Sequence, residues 1–375
     1  MQKFMYKDSG VNIELGDTVS EIFYNAAKQT WENRRGTLGE VIVPFDDFSG
    51  VRVIDVSNLP KNSVMSIGFD GIGTKIELAE RVGDYSTVAF DLFAMVCDDA
   101  VVKGGEPVLI GSILDVNTLG TGEKTFMRHI KELAQGYIEA AKAANVAIVN
   151  GEVAELGNRV GGFGNFNCNW GAAVVWFARK DRMLTGYDIK EGDCLVGFKE
   201  SGFRSNGLSM ARKILQSHHG ENWHQANYNG SNLGEQALTP SKIYCTAALE
   251  MCGTCFSQEP EATVHGISHI TGGGLPGKLR RALKSSKLGA FIDNPFEPMP
   301  LMHYCQEKGN VDDKEAYRTW NMGQGMVIIT PEPEKVMEIA NKHFIDARII
   351  GSVIHDPVIK IKSKGYFNRG ALFEL

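Results

Sequence analysis

Apolar residues recur at helical spacing in one segment of the first half of the chain. Within residues 123–144, five such side chains follow one another at steps of four, three, four and four: Phe126, Ile130, Leu133, Tyr137 and Ala141. An α-helix turns once every 3.6 residues, so these steps place the five side chains on one stripe. The pattern predicts an amphipathic helix over 123–144, and a second helix is predicted over 17–30.

Short apolar runs before and after that helix predict buried strands. In the first half these runs are SVMSIGF, PVLIGSILDV, NVAIVNGEVAE and CNWGAAVVWFAR. In the second half, strands are predicted at GDCLVGF, VHGISHI and GQGMVIIT, and helices at SNGLSMARKILQ and PGKLRRALK. Each half therefore mixes strands and helices in α/β or α+β fashion, and we divide the chain into domains 1–179 and 180–375.

The composition narrows the class of protein. With 375 residues, 43% of them apolar and 22% charged, the chain can form two domains with sizeable cores. A net charge of −6 without a Lys/Arg block disfavours a nucleic-acid partner. No apolar run reaches the roughly 18 residues of a membrane span, and the first residues lack the apolar core of a signal peptide. The seven scattered cysteines suit a reducing compartment, so we expect a cytoplasmic enzyme.

Two of those cysteines form a CxxC pair, Cys252 and Cys255. Such a pair is found in redox dithiols and as half of a zinc site. A redox pair opens a helix, whereas this pair follows the end of one, and no second CxxC completes a zinc site. His265 and His269 are nearby but lie in a predicted strand. We therefore predict two structural or free thiols.

One loop combines unusual residue types between a predicted strand and a predicted helix. The segment FDGIGTKIELA contains Gly71 and Gly73 next to Asp70, Thr74 and Lys75. A turn needs a glycine for a positive φ angle, but it does not need an acid, a hydroxyl and an ammonium in the same place. The carboxylate suits a metal ion, the hydroxyl suits a hydrogen-bond partner, and the ammonium suits a phosphate.

Further carboxylates lie on or just after apolar segments: Asp91, Asp98, Asp99, Asp115 and Glu152. In a helix, Asp91 and Asp98 share a face, whereas Asp99 is rotated by about 100° from its neighbour. Carboxylates on apolar elements are costly unless they are paired or bind a cation, and Mg²⁺ prefers oxygen ligands that include substrate phosphates. Two alternatives stay open, namely that Asp91 caps a helix and that Asp98 pairs with Lys103.

Two glycine-rich or polar loops precede predicted helices in the second half. HITGGGLPGKLRRAL contains Thr271 followed by Gly272, Gly273 and Gly274, and SGFRSNGLSMARKIL contains Arg204, Ser205 and Asn206. Backbone N–H groups at a helix start attract anions, and an arginine can grip a phosphate with two donors. A capped helix alone also explains either loop. Neither loop matches the P-loop or the dinucleotide fingerprint.

Taken in order, these motifs resemble one enzyme family. DGIGTK, CDDAVVKGGEP, NGEVAEL, SGFRSNGLSMARKIL, HGISHITGGG and YRTWNMGQGM resemble motifs of the phosphoribosylformylglycinamidine cyclo-ligases, also called aminoimidazole ribonucleotide synthetases. The opening YKDSGVNIELG and the segment LTPSKIY are also similar, so the resemblance covers nearly the whole chain. DGIGTK is shared by a wider superfamily that includes formylglycinamidine ribonucleotide synthetase, selenophosphate synthetase, thiamine-phosphate kinase and a hydrogenase maturation protein.

The resemblance implies a homodimer with two α/β-type domains per chain. The N-terminal domain would hold a mixed sheet that pairs into a barrel-like core across the dimer axis, and the C-terminal domain would be an α/β sandwich. The implied reaction belongs to purine biosynthesis. ATP phosphorylates the amide oxygen of formylglycinamidine ribonucleotide, a ring nitrogen attacks the activated carbon, and phosphate leaves as the imidazole closes.

The resemblance also suggests residue roles. Asp70, Asp99 and Glu152, with Asp98 assisting, are the expected Mg²⁺ ligands. The expected ATP contacts are Gly71, Gly73, Thr74, Lys75, Asp91 and Asp115. The expected substrate contacts are Arg204, Ser205, Asn206, Thr271, Gly272, Gly273 and Gly274. Asp70, Lys75 and His269 are the expected catalytic residues.

Two residues depart from the family pattern. The family usually has Asn-Asp where this chain has Asp98 and Asp99, and histidine where it has Arg204. Alternatives are therefore a superfamily enzyme that phosphorylates another amide, carboxylate or phosphate, and a non-catalytic nucleotide-binding homologue. A thiol-based protein is a further alternative, but it leaves the acids unexplained.

Overall fold

The computed structural model describes residues 13–43, 50–121, 124–256 and 258–375. The helices are α1 (Ile13–Thr30), α2 (Ile76–Val82), α3 (Val88–Val101), α4 (Met127–Ala144), α5 (Leu208–His219), α6 (Leu233–Ala237), α7 (Cys245–Cys252), α8 (Gly274–Ala282), α9 (Pro300–Gly309), α10 (Asp313–Thr319) and α11 (Pro333–Lys342). Within those ranges, no helix has the length and apolar character needed to cross a membrane.

The strands are β1 (Val41–Ile42), β2 (Val53–Ile54), β3 (Ser63–Gly71), β4 (Glu106–Val116), β5 (Gly120–Thr121), β6 (Lys124–Thr125), β7 (Ala147–Glu155), β8 (Cys168–Arg179), β9 (Cys194–Lys199), β10 (Asn227–Tyr228), β11 (Ser231–Asn232), β12 (Gly266–His269), β13 (Gly289–Ile292), β14 (Gln324–Thr330), β15 (Ala347–Ile354), β16 (Ile359–Lys362) and β17 (Leu372–Glu374). Most of them form two mixed sheets.

The first sheet has four strands in the order β3-β8-β4-β7. Only β4 and β7 run parallel; the other neighbours are antiparallel. Helices α1, α3 and α4 pack together over one face of this sheet. Because side chains alternate along a strand, Met65, Ile67 and Phe69 all point to the other face, where they are 63%, 49% and 74% exposed.

The second sheet has seven strands in the order β12-β14-β9-β15-β13-β16-β17. All its pairs are antiparallel except β13 with β16. Every residue of β14 is buried, so this strand lies within the core. Neither sheet closes into a barrel in the part of the chain that is described.

Helix α3 joins the two halves. It packs on β3, β4 and β8 of the first sheet and also contacts α7 and β12 of the second half. Twelve of its fourteen residues are buried, which is why its sequence is apolar almost all round. The carboxylates of α3 therefore lie where the two halves meet.

The apolar pattern predicted the main elements of the first half. The four strands predicted there are present as β3, β4, β7 and β8, and the predicted helix 123–144 is α4, which begins at Met127. The helix predicted over 17–30 begins four residues earlier, at Ile13. Residues 1–12 of the predicted N-terminal arm lie outside the described residues. In the second half, β13, β15, β16, β17 and α9–α11 were not predicted.

Candidate active site

Three loops from different parts of the chain converge beside α3. A Cβ atom placed on Gly73 would lie 3.8 Å from the Ser205 carbonyl oxygen, and one on Gly272 would lie 3.5 Å from the side-chain nitrogen of Asn206. The hydroxyl oxygens of Thr74 and Ser209 are 3.4 Å apart. The loops that contain DGIGTK, RSNG and TGGG therefore lie together.

Polar atoms without partners lie within these converging loops. The hydroxyl of Ser205 and the side-chain oxygen of Asn206 are buried and have no hydrogen-bond partner among the described residues. Buried polar atoms normally have hydrogen-bond partners, because a buried polar atom without one costs about 1–3 kcal/mol. These two atoms are therefore suited to a ligand held between the loops.

The glycines of the TGGG loop allow its backbone to pack closely against the segment that contains Tyr317. Gly273 and Gly274 both have positive φ angles, 90° and 59°. A Cβ atom on Gly274 would lie 1.9 Å from the carbonyl oxygen of Tyr317, so no larger residue fits there. The loop is thus packed against the segment before Trp320, and α8 begins directly after it.

Asp70 lies at the end of β3 and is largely exposed. Its Oδ1 atom accepts a hydrogen bond of 2.7 Å from the N–H of Gly71. Partial burial raises the pKa of Asp70, and the nearby carboxylate of Asp99 raises it further, while Lys278 acts in the opposite direction. Asp70, Asp99 and Lys278 therefore form one electrostatic group, although Lys278 was not predicted from the sequence.

His269 joins Asp99 to a buried arginine. Its Nδ1 lies 2.6 Å from Oδ1 of Asp99, and its Nε2 lies 2.6 Å from Nη2 of Arg204. A guanidinium group can only donate hydrogen bonds, so Nε2 must accept. The proton is therefore assigned to Nδ1, which donates to Asp99.

The surroundings of His269 hold it in the neutral form. Burial and the positive charge of Arg204 lower the pKa of His269 to about 4, although Asp99 opposes this shift. Burial acts to raise the pKa of Asp99, but the hydrogen bond with His269 and the nearby cations outweigh it and the pKa is lowered. At neutral pH the pair is thus an imidazole that donates to a carboxylate.

We expect nitrogen NMR of the ligand-free protein to show His269 neutral, with its proton on Nδ1, from pH 8 to pH 5. Protonation should follow with a midpoint near pH 4. Between that value and the usual pKa of about 6.5, the unfolded chain binds more protons than the folded one, so this residue's contribution to stability is lost as the pH falls. A midpoint near 6.5, or a proton on Nε2, would contradict the assignment.

The two departures from the family pattern, Asp98 and Arg204, contact each other. Nη2 of Arg204 lies 3.1 Å from Oδ2 of Asp98, and Nη1 lies 2.8 Å from Oε2 of Glu200. All three side chains are fully buried. Burial raises the pKa of Asp98 to about 7, although Arg204 lowers it in part. The alternative in which Asp98 pairs with Lys103 is wrong.

These contacts change the predicted roles of both residues. The terminal nitrogens of Arg204 are used by Asp98, Glu200, His269 and nearby carbonyl groups. The guanidinium therefore faces inward, and the structure offers neither terminal nitrogen for the phosphate contact that we predicted. Asp98 is likewise enclosed, because its Oδ1 accepts from the N–H of Tyr244.

Lys75 and Asp91 form a second buried ion pair. Nζ of Lys75 lies 2.6 Å from Oδ1 of Asp91 and donates to the carbonyl groups of Phe203 and Thr239. Asp91 also accepts from the hydroxyl and the N–H of Ser241. All three donors of the ammonium are used inside the protein, so in this structure Lys75 ties the halves together and does not face a phosphate.

Asp115 and Glu152 lie on the open face of the first sheet. The strand pairings place Phe69, Ile113, Asp115 and Glu152 on that face, and all four line one pocket of about 750 Å³. Asp70 lines the rim of the same pocket. Among the described residues, however, no three carboxylate, histidine or cysteine side chains are close enough to hold a metal ion. The four acids of the predicted metal set are therefore not gathered around one point in the part of the chain that the structure describes.

The CxxC cysteines are free, as predicted. Cys252 ends α7 and Cys255 lies in the following loop. Burial raises the pKa of the Cys252 thiol to about 12 and also raises that of Cys255. Neither thiol is activated as a nucleophile, since nucleophilic attack requires the thiolate.

Two family models match the chain. They are the N-terminal domain of AIR synthase related proteins, over residues 51–166, and the C-terminal domain of the same proteins, over residues 190–364. The phosphoribosylformylglycinamidine cyclo-ligase of Methanocaldococcus jannaschii is 37% identical over 76% of this chain and 77% of its own. That of Thermococcus kodakarensis is 33% identical over 96% of this chain and 98% of its own.

Solved structures share the fold at lower identity. E. coli HypE, a hydrogenase maturation protein, superposes with a TM-score of 0.59 at 15% identity, covering 95% of this chain and 97% of HypE. T. maritima PurL complexed with FGAR gives a TM-score of 0.53 at 16% identity, covering 95% of this chain. This chain spans about half of that PurL chain, 52% of its length.

Proposed function

Because this chain belongs to the phosphoribosylformylglycinamidine cyclo-ligase family, we propose that it catalyses the ATP-dependent closure of formylglycinamidine ribonucleotide to aminoimidazole ribonucleotide in purine biosynthesis. The observation that carries the proposal is the convergence of the DGIGTK, RSNG and TGGG loops beside the Asp99–His269 pair. Acids and anion-binding loops then lie next to each other, as a reaction between a triphosphate and a ribotide requires.

The reaction needs an activated amide. The amide oxygen is a poor leaving group until the γ-phosphoryl group of ATP is transferred to it, which releases ADP. A nitrogen of the amidine then attacks the same carbon, the C–O bond breaks, and the oxygen departs within inorganic phosphate as the ring closes. Phosphoryl transfer depends mainly on positioning and on neutralising charge, which rigid loops and fixed charges provide.

We assign the converging loops and the Asp99–His269 pair to separate parts of this reaction. Ser205 and Asn206 would contact the ribotide through their unpartnered oxygen atoms. The backbone of Gly272 and Gly273 would accommodate a phosphate or close over the substrate. Neutral His269 fixes the orientation of Asp99, so we place it as a positioning residue beside the reacting atoms.

Mg²⁺ is proposed at Asp70 and Asp99. The ion commonly uses one or two carboxylates and completes its shell with water and substrate phosphates, so two acids suffice. The lowered pKa of Asp99 keeps that ligand ionised. Bound there, the ion would neutralise phosphate charge. Glu152 and Asp115 lie on the open face, so they would contribute to the metal site only through contacts with a second chain.

We propose that the open face of the first sheet is buried in a homodimer. Met65, Ile67, Phe69 and Ile113 form an apolar surface there, and each is more than two-fifths exposed in the single chain. Apolar patches of this kind mark interaction surfaces. Pairing two such sheets would give the barrel-like core and would place Glu152 at the interface between the chains.

We expect Ile67→Glu to weaken the dimer at least about 100-fold, because a buried unpaired charge costs several kcal/mol. Analytical ultracentrifugation across a range of concentrations measures this change. Phe344→Glu is the matched control, since Phe344 is 92% exposed and lies far along the chain in the loop before β15. A dimer unaffected by Ile67→Glu would remove this face from the interface.

The proposed activity is tested by incubating the protein with formylglycinamidine ribonucleotide, ATP and Mg²⁺. The expected products are aminoimidazole ribonucleotide and ADP in equal amounts. ADP release without the imidazole would indicate phosphorylation of another substrate. Tight ATP binding with no turnover would indicate a non-catalytic homologue.

A further inference from the structure

A cavity of about 340 Å³ lies next to the Asp99–His269 pair, and no predicted ligand role includes its basic residues. It is bounded by β12, by α8 with the loop that follows it, and by the end of α3. Four cationic side chains line it: Lys103, Lys278, Arg281 and Lys284. They come from two segments far apart in sequence, so the fold concentrates positive charge here in a protein whose net charge is −6.

The four cations are not neutralised by ion pairs. None of them forms a salt bridge within the described ranges; Lys103, Arg281 and Lys284 are exposed, and Lys278 is half-buried and interacts electrostatically with Asp99 and Asp70 at longer range. Asp99 is the one carboxylate among the described lining residues, and its Oδ1 is already bonded to His269. The excess positive charge is therefore available to an anion.

A buried hydroxyl provides an independent indication of a ligand. Ser268 lines the cavity and is only 2% exposed, yet its Oγ has no hydrogen-bond partner among the described residues. Its neighbour His269 is fully satisfied by Asp99 and Arg204. An anionic oxygen bound in this basic cavity would accept the hydrogen bond that the Ser268 hydroxyl does not make to any described residue.

We propose that this cavity binds a phosphate monoester dianion, held by Arg281, Lys284 and Lys278 and by the hydroxyl of Ser268. The inference rests on the proposed function, which supplies two such groups: the 5′-phosphate of the ribotide and the terminal phosphate of ATP. Arginine suits this task because its planar fork can contact two phosphate oxygens. The place of the cavity beside Asp99 puts that phosphate at the edge of the reaction centre.

Calorimetry with four probes tests the proposal and separates the two sources. The probes are ribose 5-phosphate against ribose, and ATP against adenosine, titrated into the full chain and its variants. Arg281→Gln and Lys284→Gln should each weaken binding of one phosphorylated probe about tenfold, as expected for loss of one charge-assisted contact. Lys287→Gln is the matched control, because Lys287 is exposed on the same segment but does not line the cavity. It should stay within about twofold.

Each outcome of this titration is decisive. A loss confined to ribose 5-phosphate assigns the cavity to the ribotide, and one confined to ATP assigns it to the nucleotide. If Arg281→Gln and Lys284→Gln bind both phosphorylated probes as the unmodified protein does, the proposal is overturned. These binding measurements need no turnover, so a protein that binds the phosphate but makes no imidazole would refute the proposed function and leave this site standing.

Ser268→Ala provides a second readout. Because the hydroxyl makes no bond in the free protein, its removal should not lower the melting temperature. Binding of the phosphorylated probe should nevertheless weaken about two- to fivefold, as for loss of a neutral donor. A lower melting temperature with unchanged binding would show that Ser268 serves only the fold.

Discussion

Asp70→Asn is expected to lower kcat/KM for imidazole formation at least about 100-fold, which is the scale of losing one preorganised charged group at a reaction centre. The free energy of unfolding should change by less than about 1 kcal/mol. Asparagine keeps the side-chain oxygen that accepts from the N–H of Gly71. The raised pKa of Asp70 further means that the free protein disfavours its charge, so a neutral side chain costs the fold nothing.

The measurement is steady-state kinetics together with urea unfolding of the same preparation. Asp55→Asn is the matched control, because Asp55 is also an exposed loop aspartate that accepts a backbone N–H, from Ser57. In the control variant, kcat/KM should stay within about twofold of the unmodified protein, and the free energy of unfolding should stay within about 0.5 kcal/mol. An Asp70→Asn protein with an unchanged rate would remove Asp70 from the proposed metal site.

Arg204→His, which restores the residue usual in the family, is expected to destabilise the protein by about 3–5 kcal/mol. The smaller side chain leaves Asp98 and Glu200 buried without the guanidinium that neutralises them. His269 also loses the donor to its Nε2. The substitution should therefore damage the fold and the orientation of Asp99 together.

Adding Asp98→Asn to Arg204→His should recover at least about 1 kcal/mol at pH 8, above the pKa of about 7 that Asp98 has beside Arg204, because without the guanidinium this buried carboxyl must take up a proton or remain charged without a partner. Urea unfolding of the two single variants and the double variant forms a double-mutant cycle. Destabilisations that add without coupling would show that the Asp98–Arg204 pair is incidental. Recovery would show that the two departures from the family pattern compensate each other.

Local pattern was enough to predict the four strands of the first sheet, but not their order, and it indicated which carboxylates of α3 would share a face if that segment were helical. Seven-residue spacing placed Asp91 and Asp98 on one helix face and turned Asp99 away, and the structure has the first two buried and Asp99 half-exposed. The strands of the first sheet are long and apolar, so their periodicity is clear. In the second half, β13, β16 and β17 have only three or four residues, too few for a pattern to distinguish strand from loop.

Pairings between distant residues could not be predicted in this way. Arg204 meets Asp98 across 106 positions, and Lys75 meets the carbonyl of Thr239 across 164. Both cations looked available to phosphate because sequence shows residue type but not which way a side chain points. Lys278 and Ser268 gained importance only from neighbours that the fold supplies. The charge complementarity of Asp98 and Arg204, two departures at separate motifs, was the one signal that could have indicated their contact.

The most direct test of the account follows the amide oxygen. Formylglycinamidine ribonucleotide labelled with ¹⁸O at that amide is converted with ATP, and the phosphate and the imidazole are analysed by mass spectrometry. We predict one labelled oxygen in each inorganic phosphate released, with one aminoimidazole ribonucleotide formed per phosphate. Unlabelled phosphate, or labelled substrate left intact while ATP is consumed, would contradict the claim that this chain closes the ring by phosphorylating that oxygen.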